Sequence, residues 1–355
     1  MKIGIITFHG AYNYGASLQA YALLHYLLQV GHDAEIIDYY PLWYEKKLNR
    51  SFPWNPRVLI AEIDRLFRRF KFWKFNRNFL KVSNRQYRYG ETISGYDVVI
   101  TGSDQVFNPD IINVGGDFDD TYLLTNVSEG TRKIAYAASF GNSDLLPEFA
   151  PMFREALSSF EAIGIREESG ANIVRNLGLS AISVPDPTIL FGDFRKIYAP
   201  KQTPLEDYVL SAFFDNSNTA CMVQRLVKEE FAVPVRGFIN LNQKLRGAEG
   251  FVTPSPQEWL KRIYNAKFVI TDSFHATVFS ILYHRPFIAI TLDAWGRDWG
   301  ERIKNLLDRL GLGNRLLSSP SERIVRELCS TSIDWHIVDK RLEEWKSRGE
   351  TFLNI

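Results

Sequence analysis

The segment Thr271-Asp272-Ser273-Phe274-His275 places an imidazole just after the apolar run 268–270 and just before a helical pattern that starts at Ala276. The run reads as a buried parallel strand, and Thr271, Asp272 and Ser273 are residue types that cap helices. His275 is therefore expected where a strand hands over to a helix, the place where open α/β sheets bind ligands. An imidazole there can give or take a proton near neutral pH. The competing reading is a satisfied polar residue in a capped turn. Two further loops share this location. Asn13-Tyr14-Gly15-Ala16-Ser17 follows the strand 2–8, and the helix start beyond it offers N–H groups to an anion or a sugar hydroxyl. Its plain alternative is a βα turn capped by Ser17. Gly102-Ser103-Asp104-Gln105-Val106-Phe107-Asn108-Pro109 follows the strand 97–101 and crowds hydrogen-bonding side chains into one short stretch, as a binding loop or a capped turn would. Arg166 ends the strand 162–166 and Arg302 opens a helix. Their planar forks of donors match phosphate and carboxylate oxygens, although most arginines are surface ion-pair partners.

The elements that position these residues follow from periodicity. The strand 2–8, the helix 18–30 closed by Gly31 and the strand 35–39 form a βαβ opening, which predicts a doubly wound parallel sheet. Strands 97–101, 133–139, 162–166 and 183–186 extend it. Residues 192–206, rich in charge and proline, read as a linker. A second α/β unit follows: strand 208–213, helix 219–230, strand 233–238, helix 256–265, the strand before His275, strand 286–290, and helices 301–310, 319–330 and 338–347. The expected fold class is α/β, with two Rossmann-like domains facing across a cleft. The first covers 1–195 and includes a basic aromatic helix at 57–81; the second covers 205–330; 331–355 form a C-terminal helical tail.

That basic helix carries Arg57, Arg65, Arg68, Arg69, Lys71, Lys74, Arg77 and Lys81 against only Glu62 and Asp64. Leu66, Phe67, Phe70, Phe72, Trp73, Phe75 and Phe79 are interleaved. Such a helix reads equally as a membrane-surface element or as a solvated helix covering the core.

Composition excludes several classes. The chain has 355 residues, more than one core usually serves. It is 45% hydrophobic and 23% charged, with a net charge of +1, so nothing global points to nucleic acid. Two isolated cysteines, Cys221 and Cys329, make neither a disulfide framework nor a zinc site, and a reducing cytoplasm is the expected compartment. The six histidines form no His-x-x-x-His or His-Glu-x-x-His pair, and no Gly-x-Ser-x-Gly elbow occurs. Ligand spacing encodes no metal, and no cofactor is expected.

Several of these segments together resemble the polysaccharide pyruvyl transferases: Asn13-Tyr14-Gly15-Ala16-Ser17-Leu18-Gln19-Ala20-Tyr21-Ala22-Leu23, the Gly102 to Pro109 motif, and Thr271-Asp272-Ser273-Phe274-His275. Tyr136-Ala137-Ala138-Ser139-Phe140-Gly141, the Arg166 segment and Asp186-Pro187-Thr188 are similar as well. The resemblance implies a GT-B-like fold and transfer of pyruvate from phosphoenolpyruvate onto two hydroxyls of one sugar, as a cyclic ketal. In such bacterial capsule, exopolysaccharide or cell-wall pathways the acceptor is often a lipid-linked oligosaccharide. Phe274 stands where many members carry arginine. With the resemblance in hand, His275 is expected as the catalytic acid, and Arg166, Arg302 and Ser273 as donor-binding residues. Asn13, Tyr14, Gly15, Ser103, Asp104 and Gln105 are expected to bind the acceptor. The basic aromatic helix would then dock on the anionic inner face of the membrane. The alternatives are a GT-B glycosyltransferase using a nucleotide sugar and a non-catalytic carbohydrate-binding relative.

Overall fold

A computed structural model describes residues 1–42, 56–114, 117–199, 206–213, 217–291 and 300–355. Part of the expected linker, 200–205, and the side chain of Arg57 lie outside the described residues. The chain divides into two compact units. The first comprises Met1–Phe52, Asn76–Phe191 and Glu344–Ile355; the second comprises Pro53–Phe75 and Gly192–Glu343. Two long helices, Pro56–Phe79 and Trp335–Phe352, each contribute residues to both units.

The first unit is built on a seven-stranded sheet. Its strands are β1 (Lys2–Ile6), β2 (Asp33–Tyr40), β3 (Val82–Arg88), β4 (Val98–Thr101), β7 (Arg132–Ala138), β8 (Ala162–Ile165) and β9 (Ile182–Ser183). A separate antiparallel pair, β5 (Asn113–Val114) and β6 (Asp117–Phe118), falls between β4 and β7 in the sequence. All neighbours in the large sheet are parallel, in the order β3-β2-β1-β4-β7-β8-β9. The central strands are mostly apolar because both faces are covered: all four residues of β4 are buried. The helix Tyr14–Gln29 is buried along most of its length for the same reason. It starts four residues before the expected 18–30 because its cap is Asn13, whose side chain accepts from the Ala16 N–H, and not Ser17, which lies inside the helix.

The second unit holds a six-stranded parallel sheet in the order β12-β11-β10-β13-β14-β15. Its strands are β10 (Val209–Ala212), β11 (Val235–Ile239), β12 (Gly250–Val252), β13 (Phe268–Thr271), β14 (Phe287–Ile290) and β15 (Leu316–Leu317). Every residue of β10, β13 and β14 is buried. Each sheet winds outward from a strand in its middle. In the first the winding reverses between β1 and β4; in the second, between β10 and β13. These are the two topological switch points, where neighbouring βα connections leave in opposite directions and open a crevice beyond the strands' carboxyl ends.

The terminal helix Trp335–Phe352 runs further than the expected 338–347. Asp334 fixes its start by accepting from the His336 and Ile337 N–H groups. Gly349 stays within it because the helix comes close to β-sheet neighbours: a Cβ there would lie 2.7 Å from Pro185 and from the Tyr136 hydroxyl. Phe352 completes the contact, its ring 6.0 Å from that of Tyr136. Among the described residues no helix is long and apolar enough to cross a membrane.

Candidate functional site

The first-unit candidates collect at that unit's switch point. Asn13 lies after β1, and Ser103, Asp104 and Gln105 lie after β4. The loop after β4 is held from beneath by buried polar groups. The Gln19 side chain accepts from the Ser103 N–H (3.1 Å) and donates to the Thr7 hydroxyl (2.8 Å). Thr7 in turn donates to the Ser103 carbonyl (3.1 Å). Thr7, Gln19 and Ser103 are all buried. Three buried polar side chains are costly unless they are bonded in this way.

Gly102 begins the loop at φ +119°, and its peptide bond to Ser103 is cis. A Cβ on Gly102 would sit 2.2 Å from the Tyr136 carbonyl oxygen, so strand β7 leaves room for glycine alone. Gly102→Ala is expected to destabilise the protein by at least about 1–3 kcal/mol from backbone strain alone. A urea unfolding midpoint equal to that of the parent would contradict this. Asp104 follows at φ +74°, a conformation that aspartate tolerates better than most residues, and its carbonyl accepts from the Ser139 N–H at 2.9 Å. Gln105 accepts from the Asn108 amide at 2.6 Å.

Arg166 reaches the same loop from the end of β8, two strands away. It is 3% exposed. Its Nη1 donates to Asp186 Oδ2 (3.0 Å), its Nη2 lies 3.5 Å from Asp104 Oδ1, and its Nε lies 3.9 Å from Glu167 Oε2. The Ser103 hydroxyl donates to the same Asp186 oxygen (3.1 Å), while the other Asp186 oxygen takes the Thr188 N–H (2.9 Å) and hydroxyl (2.7 Å). Glu167 also accepts from the Phe140 N–H at 2.9 Å. Burial alone would lower the Arg166 pKa; the charges of Asp104, Asp186 and Glu167 outweigh it and hold the pKa above its ordinary value. One guanidinium among three carboxylates has its charge committed inside the unit. Thr7, Glu167 and Asp186 are site residues that spacing did not single out. The signals available were the Asp186-Pro187-Thr188 segment of the family resemblance and Gln19, a polar residue in a mostly apolar helix. Among the described residues no cluster of His, Cys, Asp and Glu is arranged to hold a metal ion.

The second-unit candidates lie at the other switch point. Thr271, the last residue of β13, donates through its hydroxyl to the Ala212 carbonyl at the end of β10 (2.8 Å) and accepts from the Ser273 N–H (2.9 Å). One side chain thus ties the two diverging strands and shapes the turn. Ser273 caps the helix Phe274–Leu282 by accepting from the Ala276 N–H. His275 falls in the first helical turn and is 7% exposed. Phe274 is buried and stands edge-on to the imidazole, with ring centroids 5.2 Å apart at 87°. An aromatic ring thus stands against the imidazole at this position. Arg302 is the second residue of the helix Glu301–Leu310, which packs against the His275 helix. The structure therefore groups Ser103, Asp104 and Arg166 in one unit, and Ser273, His275 and the Arg302 helix in the other. Asn13 and Tyr14 lie at the surface of the first, and Gly15 is buried beside them.

The structure is similar to S. aureus MnaA solved with UDP, at 10% identity and a TM-score of 0.50, covering 99% of this chain and 95% of that one. It is also similar to the UDP-GlcNAc 2-epimerase of Neisseria meningitidis bound to UDP-GlcNAc, at 9% identity and a TM-score of 0.48, covering 100% and 94%. Likeness at this identity speaks to fold alone, and that fold is of the GT-B type. No curated protein matches the sequence. The polysaccharide pyruvyl transferase family matches residues 13–293, a span that begins at the helix cap Asn13 and contains the loops after β4 and β13. The chain belongs to the polysaccharide pyruvyl transferase family.

Proposed function

We propose that the protein transfers the pyruvyl group of phosphoenolpyruvate to two hydroxyls of one sugar in a lipid-linked oligosaccharide, forming a cyclic ketal during capsule, exopolysaccharide or cell-wall polymer synthesis. The observation that carries this reading is His275 in the first turn of a helix at a switch point, within a chain of this family. Protonation of the donor's C3 makes C2 electrophilic; one sugar hydroxyl adds there, phosphate leaves, and the second hydroxyl closes the ring. Of the two hydroxyl protons, one balances the proton added to C3 and the other departs with phosphate. His275 is the proton donor in this scheme. The positive end of its helix and the Ser273 hydroxyl favour an anion such as the donor's phosphate. Arg302 adds a second cation for the donor's carboxylate or phosphate. Asn13, Tyr14, Gly15, Asp104 and Gln105 bind the acceptor, and the buried Ser103, its hydroxyl on Asp186, holds the loop that carries the last two. Arg166, with its charge committed to Asp104 and Asp186, acts on the reaction by holding the Ser103 loop in shape rather than by touching the donor.

The test is incubation with phosphoenolpyruvate and a panel of lipid-linked and synthetic glycosides, read by mass spectrometry. The expected product is a glycoside carrying one pyruvyl ketal, with one phosphate released per ketal. Consumption of UDP-sugars in place of phosphoenolpyruvate would overturn the reading.

A further inference from the structure

The helix Pro56–Phe79 has two apolar faces, and among the described residues only one of them is packed. Phe72 and Phe75 are each 1% exposed. Beside them Lys71 Nζ donates to the Thr253 carbonyl (2.9 Å) and pairs with Glu258 (3.1 Å). Asp64 accepts from the Leu241 N–H (3.0 Å) and from the Thr253 hydroxyl. These contacts all lie within the second unit and fix the rotation of the helix about its own axis. At 100° per residue the opposite side then carries Leu59, Ile63, Leu66, Phe67, Phe70 and Trp73. Every one of these is exposed, Phe67 to 58% and Trp73 to 53%. Phe70 and Trp73 stack on each other at 5.9 Å, which gives the stripe a broad aromatic end.

Charge states what covers it. Arg69, Lys74 and Arg77 flank or interrupt the stripe and are exposed. The helix's two acids do not oppose them. Asp64 is turned inward, and Glu62 is spent on Arg65 within the helix. The outward face is therefore apolar along its centre and positive along its margins. A second copy of the chain would bring the same positive margins together. An anionic bilayer meets both features at once: acyl chains take the Phe and Trp side chains, and headgroup phosphates take the Arg and Lys side chains.

We propose that the stripe Leu59, Ile63, Leu66, Phe67, Phe70 and Trp73 is the surface by which the protein lies on an anionic membrane, with the helix in the plane of the interface. This serves the lipid-linked acceptor reading and rests on it for its purpose. Binding to vesicles needs neither donor nor sugar, however, so the two can fail separately. The experiment is sedimentation of the full chain with sucrose-loaded vesicles of phosphatidylcholine alone or with one-quarter phosphatidylglycerol. Binding to the anionic vesicles, weakened at least tenfold by Phe67→Ser with Phe70→Ser and Trp73→Ser, and separately by Arg69→Glu with Lys74→Glu, is the expected result. Tryptophan quenching by brominated acyl chains should fall in Trp73→Phe, a variant that keeps the apolar face. Vesicle binding unchanged in both multiple variants, or absent from the parent, overturns the proposal. So does a concentration-dependent dimer in light scattering that the Phe67, Phe70 and Trp73 changes abolish in the absence of vesicle binding. Circular dichroism and melting curves matching the parent exclude misfolding as the cause of any loss.

Discussion

His275→Gln is expected to slow phosphate release from phosphoenolpyruvate by about 10²–10⁴-fold, the usual contribution of a positioned general acid. Glutamine keeps a hydrogen-bonding side chain of similar length but supplies no titrating proton near neutral pH. Because the imidazole sits in a helix already capped by Ser273 and walled by Phe274, the substitution should leave the fold intact. The melting midpoint is expected to move by no more than about 4 °C. Single-turnover phosphate release at saturating donor is the measurement. A rate within about threefold of the parent in both His275→Gln and His275→Ala would remove this residue from the chemistry.

Arg166→Met should act in the opposite way, on stability first. It deletes the one cation among Asp104, Glu167 and Asp186 and leaves their carboxylates facing each other in a buried site. Breaking a buried ion pair from one side typically costs about 3–5 kcal/mol, because the orphaned charge keeps its desolvation penalty. Chemical denaturation should show that loss. Arg166→Met combined with Asp186→Asn should recover part of it, since the two residues share a direct hydrogen bond. Arg166→Lys should rescue only weakly, because an ammonium cannot reach Asp186 and Asp104 together as the guanidinium fork does. If Arg166→Met instead leaves stability within about 1 kcal/mol and abolishes donor binding alone, the arginine is a ligand for substrate and not a brace for the loop.

How much of this could be read from the residues depends on whether the signal was local. Strand β13 and the helices Pro256–Asn265 and Glu301–Leu310 were legible because their signals are continuous. Four consecutive buried residues make the strand. Ser255, Pro256 and Glu258 spell out a capping box at the start of the first helix. Strand β3 was not legible. Its sequence, Val-Ser-Asn-Arg-Gln-Tyr-Arg, is polar because it lies at the sheet's edge, where one row of residues faces water. The helix Glu168–Asn176 also escaped: it is nine residues long, and two of its four buried positions are Gly170 and Ala171, which give little apolar signal. Strand order, and with it the two switch points, depends on pairings between distant residues that no periodicity encodes. The same holds for the site. The loops that carry Ser103 and His275 announced themselves by composition. That Asp186 is bonded to both Arg166 and Ser103, across 20 and 83 residues of chain, could not be read from spacing. In the helix 56–79 the sequence shows one aromatic-rich run, and only the packing of Phe72 and Phe75 tells which rings are left outside.

The return of residues 344–355 to the first unit has a consequence for synthesis on the ribosome. Phe352 packs on Tyr136, Leu353 is buried, and Gly349 fits against Pro185, so this late segment fills part of the first unit's interior. It leaves the exit tunnel only after the entire second unit has been made. The first half of the nascent chain thus waits with an unfilled apolar seam, and vectorial, domain-by-domain folding gives way to a step that must await synthesis of the second unit.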